Sequence, residues 1–150
     1  MRRILIPVLA ASFGLVGSAT LAAAGLFSAT GPVIAILAED LFVGEAEADL
    51  SGAGTLAIRS QKSPRLTCTG EFTSSAVLGG SGQMRCSDGA TATFRFQRLG
   101  IYRGYGTGHF SRGSMSFAYG FGAEKAAPYL RLPEGKKLSH NGMELALVDR

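Results

Sequence analysis

Few side chains in this chain could perform acid–base or nucleophilic chemistry, and they are scattered. The two histidines, His109 and His140, have no carboxylate or nucleophile at the spacing of a catalytic triad. The sequence also contains no G-x-S-x-G or zinc-binding pattern. Asp88 is a candidate acid, but an Asp-Gly pair between two alternating runs is typical of a hairpin turn. We therefore expect that the protein is not an enzyme.

Three carboxylates, Glu45, Glu47 and Asp49, occupy every second position and could face a cation together. In an extended strand such side chains lie about 6.6 Å apart, which is too far to share one ion without further ligands. A solvated strand edge explains them better. The G-x-G pairs of the chain do not indicate a phosphate loop, because no helix follows them. We expect no metal and no cofactor.

Positive charge is the strongest feature that could carry a binding function. Residues 59–112 contain eight basic residues against two acidic ones. Alternation places Arg85 and Arg95 on the outward face of adjacent strands, with Arg98 and Arg103 in the next loop. These four arginines form a candidate anion-binding surface for an anionic envelope component, such as lipid head groups or a cell-wall polymer, or for another envelope protein. The alternative is a surface that only keeps the protein soluble.

The N-terminal segment predicts where the protein works. Arg2 and Arg3 precede a run without any charged residue at positions 4–38. The run and its small residues predict a secretory signal peptide over residues 1–24. The alternative is an uncleaved helix that anchors the protein in the inner membrane through residues 4–26. Either way the remainder is exported, periplasmic or secreted. Without the two arginines the formal net charge falls from +4 to +2, so no nucleic-acid partner is expected.

The two cysteines lie in the stretch where apolar and polar residues alternate most clearly. If the loop between their strands is centred on Val77, Cys68 lies directly opposite Cys86 at a separation that a disulfide can bridge. An exported domain with two cysteines favours a disulfide over free thiols. We predict a Cys68–Cys86 disulfide that contributes about 3 kcal/mol through loop closure.

A Gly-x-Gly motif recurs three times, at intervals of 28 and 26 residues, and each copy opens a hairpin whose return strand carries aromatic residues. An aromatic ring laid over a glycine shields the backbone and helps to fix the register. In the central hairpin a three-residue turn at residues 87–89 places Gly82 opposite Phe94. The hairpins are expected near residues 52–72, 80–96 and 106–121. The other predicted pairs are Gly52–Phe72, Phe72–Gly82, Leu56–Cys68 and Gly106–Tyr119.

Part of this pattern resembles a known repeat. The motifs CTGEF at 68–72, GSG at 80–82 and CSDG at 86–89 are similar to the MORN repeat, an aromatic-x-Gly-x-aromatic strand followed by G-x-G and a turn glycine. The resemblance is best over residues 68–113, although the period is longer and cysteines replace aromatic residues. It implies an association with membrane lipids or protein scaffolding. The runs LTCTGEFTSS at 66–75 and CSDGATATFRF at 86–96 also resemble uncharacterised exported bacterial proteins, which implies no activity.

The segment after Tyr119 predicts a closing element. AEKAAPYL is typical of one or two helical turns that end near Pro128. The Asn-Gly pair at 141–142 then predicts a hairpin in which Leu138 faces Leu145. We expect this tail to cap the open edge of the sheet.

Together these patterns predict one mainly β domain over residues 31–150, an antiparallel meander of Gly-x-Gly hairpins that forms an open twisted sheet or a small barrel. The expected function is a non-enzymatic binding or scaffolding module of the cell envelope. The alternative is a small hydrolase or ligand-binding barrel with its site on the concave sheet face. A deep cavity lined by Tyr102, Tyr105 or Tyr119 with a buried polar group would favour that alternative.

Overall fold

The computed structural model describes residues 28–75 and 77–150. Eight antiparallel strands follow one another as a meander and close into a barrel, so the predicted fold class is confirmed and its form is the small barrel. The strands are β1 (Ala29–Leu37), β2 (Asp40–Ala48), β3 (Ala53–Ser60), β4 (Thr67–Ser75), β5 (Gly79–Cys86), β6 (Thr91–Arg98), β7 (Gly104–Phe110) and β8 (Gly113–Tyr119). The predicted signal or anchor segment at 1–24 lies outside the described residues.

The barrel closes because β1 pairs on both sides. Its whole length pairs with β2, and its second half pairs with β8 from Val33 opposite Tyr119 to Leu37 opposite Met115. Closure leaves none of the eight strands at a free sheet edge. The acidic strand β2 is therefore an interior strand of the sheet, and the predicted edge position of Glu45 and Glu47 is wrong. Both side chains do point outward and are exposed.

Alternation along each strand separates a filled interior from a polar outer face. The inward side chains form one core. We call the end of the barrel that carries the turns between β1 and β2, β3 and β4, β5 and β6, and β7 and β8 the closed end. The turns lie at residues 38–39, 61–66, 87–90 and 111–112. The inward-facing core residues are Val33, Ala35, Leu37, Phe42, Leu56, Ile58, Cys68, Met84, Cys86, Ala92, Phe94, Phe96, Phe110, Met115 and Phe117.

The predicted disulfide is present in the core. Cys68 lies opposite Cys86 on the neighbouring strand, and their sulfur atoms are bonded at 2.00 Å. Both residues are buried. The bond closes a loop over a separation of 18 residues, which corresponds to a stabilisation of about 3 kcal/mol. A buried disulfide is compatible with an oxidising compartment.

Glycine meets an aromatic ring in all three hairpins, as expected. A Cβ atom on Gly82 would overlap the ring of Phe94, which lies directly opposite. The central register is confirmed throughout, including the turn at residues 87–89 with Gly89 at φ 90°. The corresponding contacts in the flanking hairpins are Gly54–Phe72 and Gly106–Phe117.

The predicted registers of the two flanking hairpins are wrong by two residues. In the first, Gly54 rather than Gly52 lies opposite Phe72, and Ile58 rather than Leu56 lies opposite Cys68. The cause is Ser60, a buried residue that extends β3 and shortens the loop. Its hydroxyl donates to the Asp40 carboxylate at 2.7 Å and accepts from the Ser63 N–H at 2.9 Å.

The third hairpin turns at Ser111-Arg112, whereas the predicted Gly106–Tyr119 pair requires a turn one residue later, at Arg112-Gly113. Ser111 is held there by β6, because its N–H donates to the Thr91 carbonyl at 2.8 Å and its hydroxyl accepts from the Thr91 N–H at 3.1 Å. Gly106 consequently lies opposite Phe117, and Tyr119 lies opposite Gly104.

An outer layer covers one side of the barrel. Helix α1 (Ala123–Ala126), a 3-10 turn over Ala127–Tyr129 and a hairpin of β9 (Lys136–Asn141) and β10 (Glu144–Asp149) pack over the outward apolar residues of β1, β2 and β8. The predicted helical turns and C-terminal hairpin are thus present. The hairpin forms a separate sheet and covers a face, because the closed barrel has no edge to cap. Its turn lies at Gly142-Met143, so Leu138 pairs with Leu147 and the predicted Leu138–Leu145 pair is wrong.

In the described part of the chain, no helix combines the length and apolar character needed to cross a bilayer.

Candidate functional site

A cavity of about 420 Å³ enters the barrel opposite the closed end, at the end that we call the open end. This end carries the connections after β2, β4 and β6, which include residues 49–52, 77–78 and 99–103, and the start of β1. The volume lies within the range of about 300–1,000 Å³ that is typical of small-molecule sites. Small residues of β1 and β2 line one wall, and a Cβ atom added at Gly31 would meet nothing nearer than 3.9 Å.

The cavity is apolar at its base and polar at its mouth. Its base is formed by inward side chains that are part of the barrel core: Val33, Leu56, Ile58, Phe94, Phe96, Met115 and Phe117. The mouth carries the polar side chains of Asp49, Ser74, Arg98, Tyr102 and Tyr119. Such a gradient suits a molecule with an apolar body and a polar end.

Two buried polar atoms at the mouth lack partners. Neither Nε of Arg98 nor the hydroxyl of Tyr119 has a hydrogen-bond partner among the described residues. Buried donors are normally satisfied, and leaving one unsatisfied costs about 1–3 kcal/mol, so an orphaned pair inside a cavity indicates groups available to a ligand. The alternating inward positions Phe94, Phe96 and Arg98 explain how the guanidinium enters the barrel.

The environment keeps these two groups as donors. Burial raises the pKa of the Tyr119 phenol above its ordinary value of 10.0. The positive charge of Arg98, and the approach of its guanidinium to the phenol oxygen without the geometry of a hydrogen bond, offset this shift only in part. Tyr119 is therefore neutral at physiological pH and retains its O–H. The guanidinium group of an arginine offers only hydrogen-bond donors. An anionic group with two or more acceptor oxygens matches this pair.

The four arginines of the predicted anion-binding surface do not lie at one place. Arg85 and Arg95 are exposed on the outer face of β5 and β6, as expected. Arg85 pairs with Thr91, four positions before Arg95 along β6, so the two lie about 13 Å apart along the strand direction. Arg98 points into the cavity, and Arg103 lies in the connection that borders it, with its guanidinium 5.8 Å from the centre of the Phe121 ring.

Carboxylates surround the outward arginine of β5. Glu45, Glu47 and Glu71 line the same shallow outer concavity as Arg85, which lowers the positive potential there. Within residues 28–75 and 77–150, no three His, Cys, Asp or Glu side chains are close enough to hold a metal ion.

The other residues considered for chemistry lie outside the cavity. His109 is exposed on the outer face of β7, and His140 is exposed on β9. Asp88 accepts the Ala90 N–H at 3.0 Å and forms an ion pair with Arg112, so it supports its turn. These hydrogen bonds lower the pKa of the Asp88 carboxyl, the backbone bond having the larger effect and Arg112 the next.

Sequence reasoning missed Arg98 as a cavity residue, although a signal existed. Arg98 continues the even-numbered series Ala92, Phe94 and Phe96, which faces inward. The prediction placed Arg98 in the loop, whereas β6 extends to Arg98, and so the inward orientation of its side chain was missed. Tyr119 follows Met115 and Phe117 in the same way on β8.

No protein-family model, curated protein or solved structure matches this chain. The resemblance to the MORN repeat stays a prediction. What is established of this protein is an eight-stranded antiparallel barrel with an internal disulfide and a cavity at its open end.

Proposed function

We propose that this protein is a non-enzymatic binding protein that holds a small amphipathic anion, with a carboxylate or similar acidic group, in the cavity at the open end. The observation that carries the proposal is the orphaned pair Arg98 and Tyr119 above an apolar base. The apolar body would occupy the base, and the acidic group would accept hydrogen bonds from both donors. A charge-assisted bond of this kind is worth about 1.5–3 kcal/mol.

The tyrosine-lined cavity with its buried polar atoms supports the ligand-binding barrel, and the positions of the candidate bases argue against hydrolysis. The cavity is lined by Tyr102 and Tyr119, whereas Tyr105 lies on the outer face, stacked on Tyr129 with ring centres 4.6 Å apart. Both histidines lie outside the cavity. Among the described residues, no cysteine lines it either. A general base for hydrolysis would have to be Asp49, an exposed residue whose pKa is lowered by its hydrogen bond from Ser51.

We also propose that the barrel works outside the cytoplasm. Arg2-Arg3 with the uncharged run behind them and the buried disulfide both favour export. Cell fractionation combined with N-terminal sequencing of the purified protein tests this and separates a cleaved signal from an uncleaved anchor. Recovery of an intact chain from the cytosol would refute it.

The ligand proposal is tested with a dansyl-labelled fatty acid and its methyl ester, which lacks the charge. The full chain should bind the acid with enhanced dansyl emission and bind the ester less tightly. Arg98→Met should weaken binding of the acid by about tenfold to a hundredfold, because the charge-assisted bond is lost while the apolar volume is kept. The matched control is Arg95→Met on the outer face of the same strand, which should bind as the wild type does.

A second variant tests the cavity itself. Gly31 lines the cavity and a Cβ atom there meets no atom nearer than 3.9 Å, so Gly31→Leu should block both the acid and the ester without unfolding the barrel. Equal loss of binding in Arg98→Met and Arg95→Met, or unchanged binding in Gly31→Leu, would contradict the proposed site.

A further inference from the structure

Exposed apolar side chains are concentrated at the open end. Leu50, Val77, Leu78, Leu99, Ile101 and Tyr102 come from three separate connections around the cavity mouth, and we call them the apolar rim. Their exposure is high, for example 84% for Leu50, 82% for Val77 and 74% for Ile101. Among the described residues only Met143, at the tip of the C-terminal hairpin, is a comparable exposed apolar side chain elsewhere.

The closed end has the opposite character. Its turns carry exposed charged residues, among them Glu39, Lys62, Arg65, Asp88 and Arg112. Surface loops are normally polar, so apolar tips on three loops at one end mark a surface that is covered in use. The barrel is thus amphipathic along its axis, with a charged end and an apolar end.

We propose that the apolar rim docks the open end of the barrel onto the surface of an anionic lipid bilayer. Basic residues border the rim on the side of the outer layer, where Arg103 and Lys125 line one groove together with Ile101 and Tyr102. Long basic side chains next to apolar and tyrosine residues suit the interface, where the apolar tips enter the hydrocarbon boundary and the charges meet head groups.

The path of the chain points to the same side. β1 begins at the open end with Ala29, and the sequence before it carries no charged residue back to position 4. The uncharged sequence therefore joins the barrel at the end that carries the apolar rim. A second copy of the chain is a poorer occupant, because the cavity lies at the centre of the rim and leaves no packed core for a symmetric interface.

This inference goes beyond the proposed ligand function and can fail separately, since the fatty-acid assay contains no vesicles. The chain has no tryptophan, so one introduced tryptophan reports its own surroundings. Ile101→Trp and Leu78→Trp probe the rim, and Lys62→Trp probes the closed end. All three sites are exposed, so we expect them to leave stability nearly unchanged, which thermal unfolding checks.

The full chain carrying each tryptophan is mixed with phosphatidylglycerol vesicles whose acyl chains are brominated. The rim tryptophans should shift to shorter emission wavelength and be quenched, because apolar interfacial groups enter about 5–10 Å. Lys62→Trp should remain unchanged, even if the N-terminal segment also attaches the protein to the vesicle. Phosphatidylcholine vesicles should quench the rim less.

A charge test completes the design. In the Ile101→Trp background, Arg103→Glu with Lys125→Glu should reduce quenching by anionic vesicles, whereas Arg85→Glu with Arg95→Glu should leave it unchanged. Equal responses of the rim and Lys62→Trp, or no response at the rim, would overturn the inference. A shift of the rim tryptophan emission to shorter wavelength that grows with protein concentration in the absence of vesicles would also overturn the inference. It would show that the rim binds a second copy of the chain.

Discussion

The ring of Phe94 occupies the space directly above the backbone of Gly82, where any side chain would begin. The backbone of Phe94 lies opposite Gly82 on the neighbouring strand, and Phe72 lies opposite it on the other side. The glycine is therefore held between two phenylalanine residues and gives the central hairpins their register.

Gly82→Ala should be strongly destabilising. The new Cβ would collide with the Glu71 carbonyl as well as the Phe94 ring, and overpacking of this kind costs about 1–3 kcal/mol. Urea unfolding followed by circular dichroism measures the loss. The control is Gly31→Ala, whose Cβ would make only ordinary van der Waals contacts at 3.9 Å and which should change the free energy of unfolding by less than about 0.5 kcal/mol. Similar values for the two variants would contradict the proposed packing.

Reduction of the Cys68–Cys86 disulfide should lower the free energy of unfolding by about 3 kcal/mol, because the unfolded chain regains the freedom of the closed loop. The measurement compares urea unfolding with and without reductant. A Cys68→Ala, Cys86→Ala variant should give one stability under both conditions. Reductant sensitivity in that variant would show that the effect does not come from this bond.

Glu39→Gly should stabilise the barrel. Ala38 and Glu39 form the two-residue turn between β1 and β2 with φ of 46° and 71°, a left-handed conformation that glycine adopts without steric cost. We expect a gain of about 0.5–1 kcal/mol, measured by chemical denaturation. Glu71→Gly makes the same chemical change in the extended strand β4 and should destabilise. A loss of stability at both positions would refute the expectation.

Tyr119 should make stability fall at high pH. Its pKa is raised in the folded state, so the folded protein keeps this proton at pH values where the unfolded chain has lost it. The resulting stabilisation is fully present below about pH 10 and is lost as the pH rises through the raised pKa. Unfolding of the wild type and Tyr119→Phe at several pH values measures this. A difference between them that stays constant across pH 10 would contradict it.

Local alternation predicted much of the fold, because period-two patterns fix which residues share a face. Two rules, that paired residues share a face of the sheet and that turns favour certain residues, account for three features. These are the inward series of β4, β5 and β6, the Cys68–Cys86 pair and the turn at Gly89. A shift of the register by two residues leaves the same residues on each face, however, so alternation does not distinguish the two registers. The pairing of Gly54 with Phe72 depends on hydrogen bonds of the buried Ser60 to Asp40 and Ser63, and these have no local sequence signature.

Local sequence patterns could not predict the closure of the barrel or the cavity inside it. The pairing of Val33 with Tyr119 joins distant parts of the chain, and it depends on the summed twist and stagger of all eight strands. The turn at Ala38 and Glu39 also lacks the usual Asn-Gly signal, so the sequence does not show that β1 and β2 are two strands and not one long strand. The cavity follows from closure, since Arg98 and Tyr119 approach each other only on a closed interior.

The β1–β8 seam also has a consequence for how the protein is made. β1 leaves the ribosome first among the barrel strands, but its partner β8 ends at Tyr119, 82 residues after Leu37. At about 5–20 residues per second, the second side of β1 waits about 4–16 seconds for its partner. During that time a hydrophobic strand displays unpaired backbone groups, so the chain needs protection from strand addition by other chains until residue 119 has followed it into the compartment where the barrel folds.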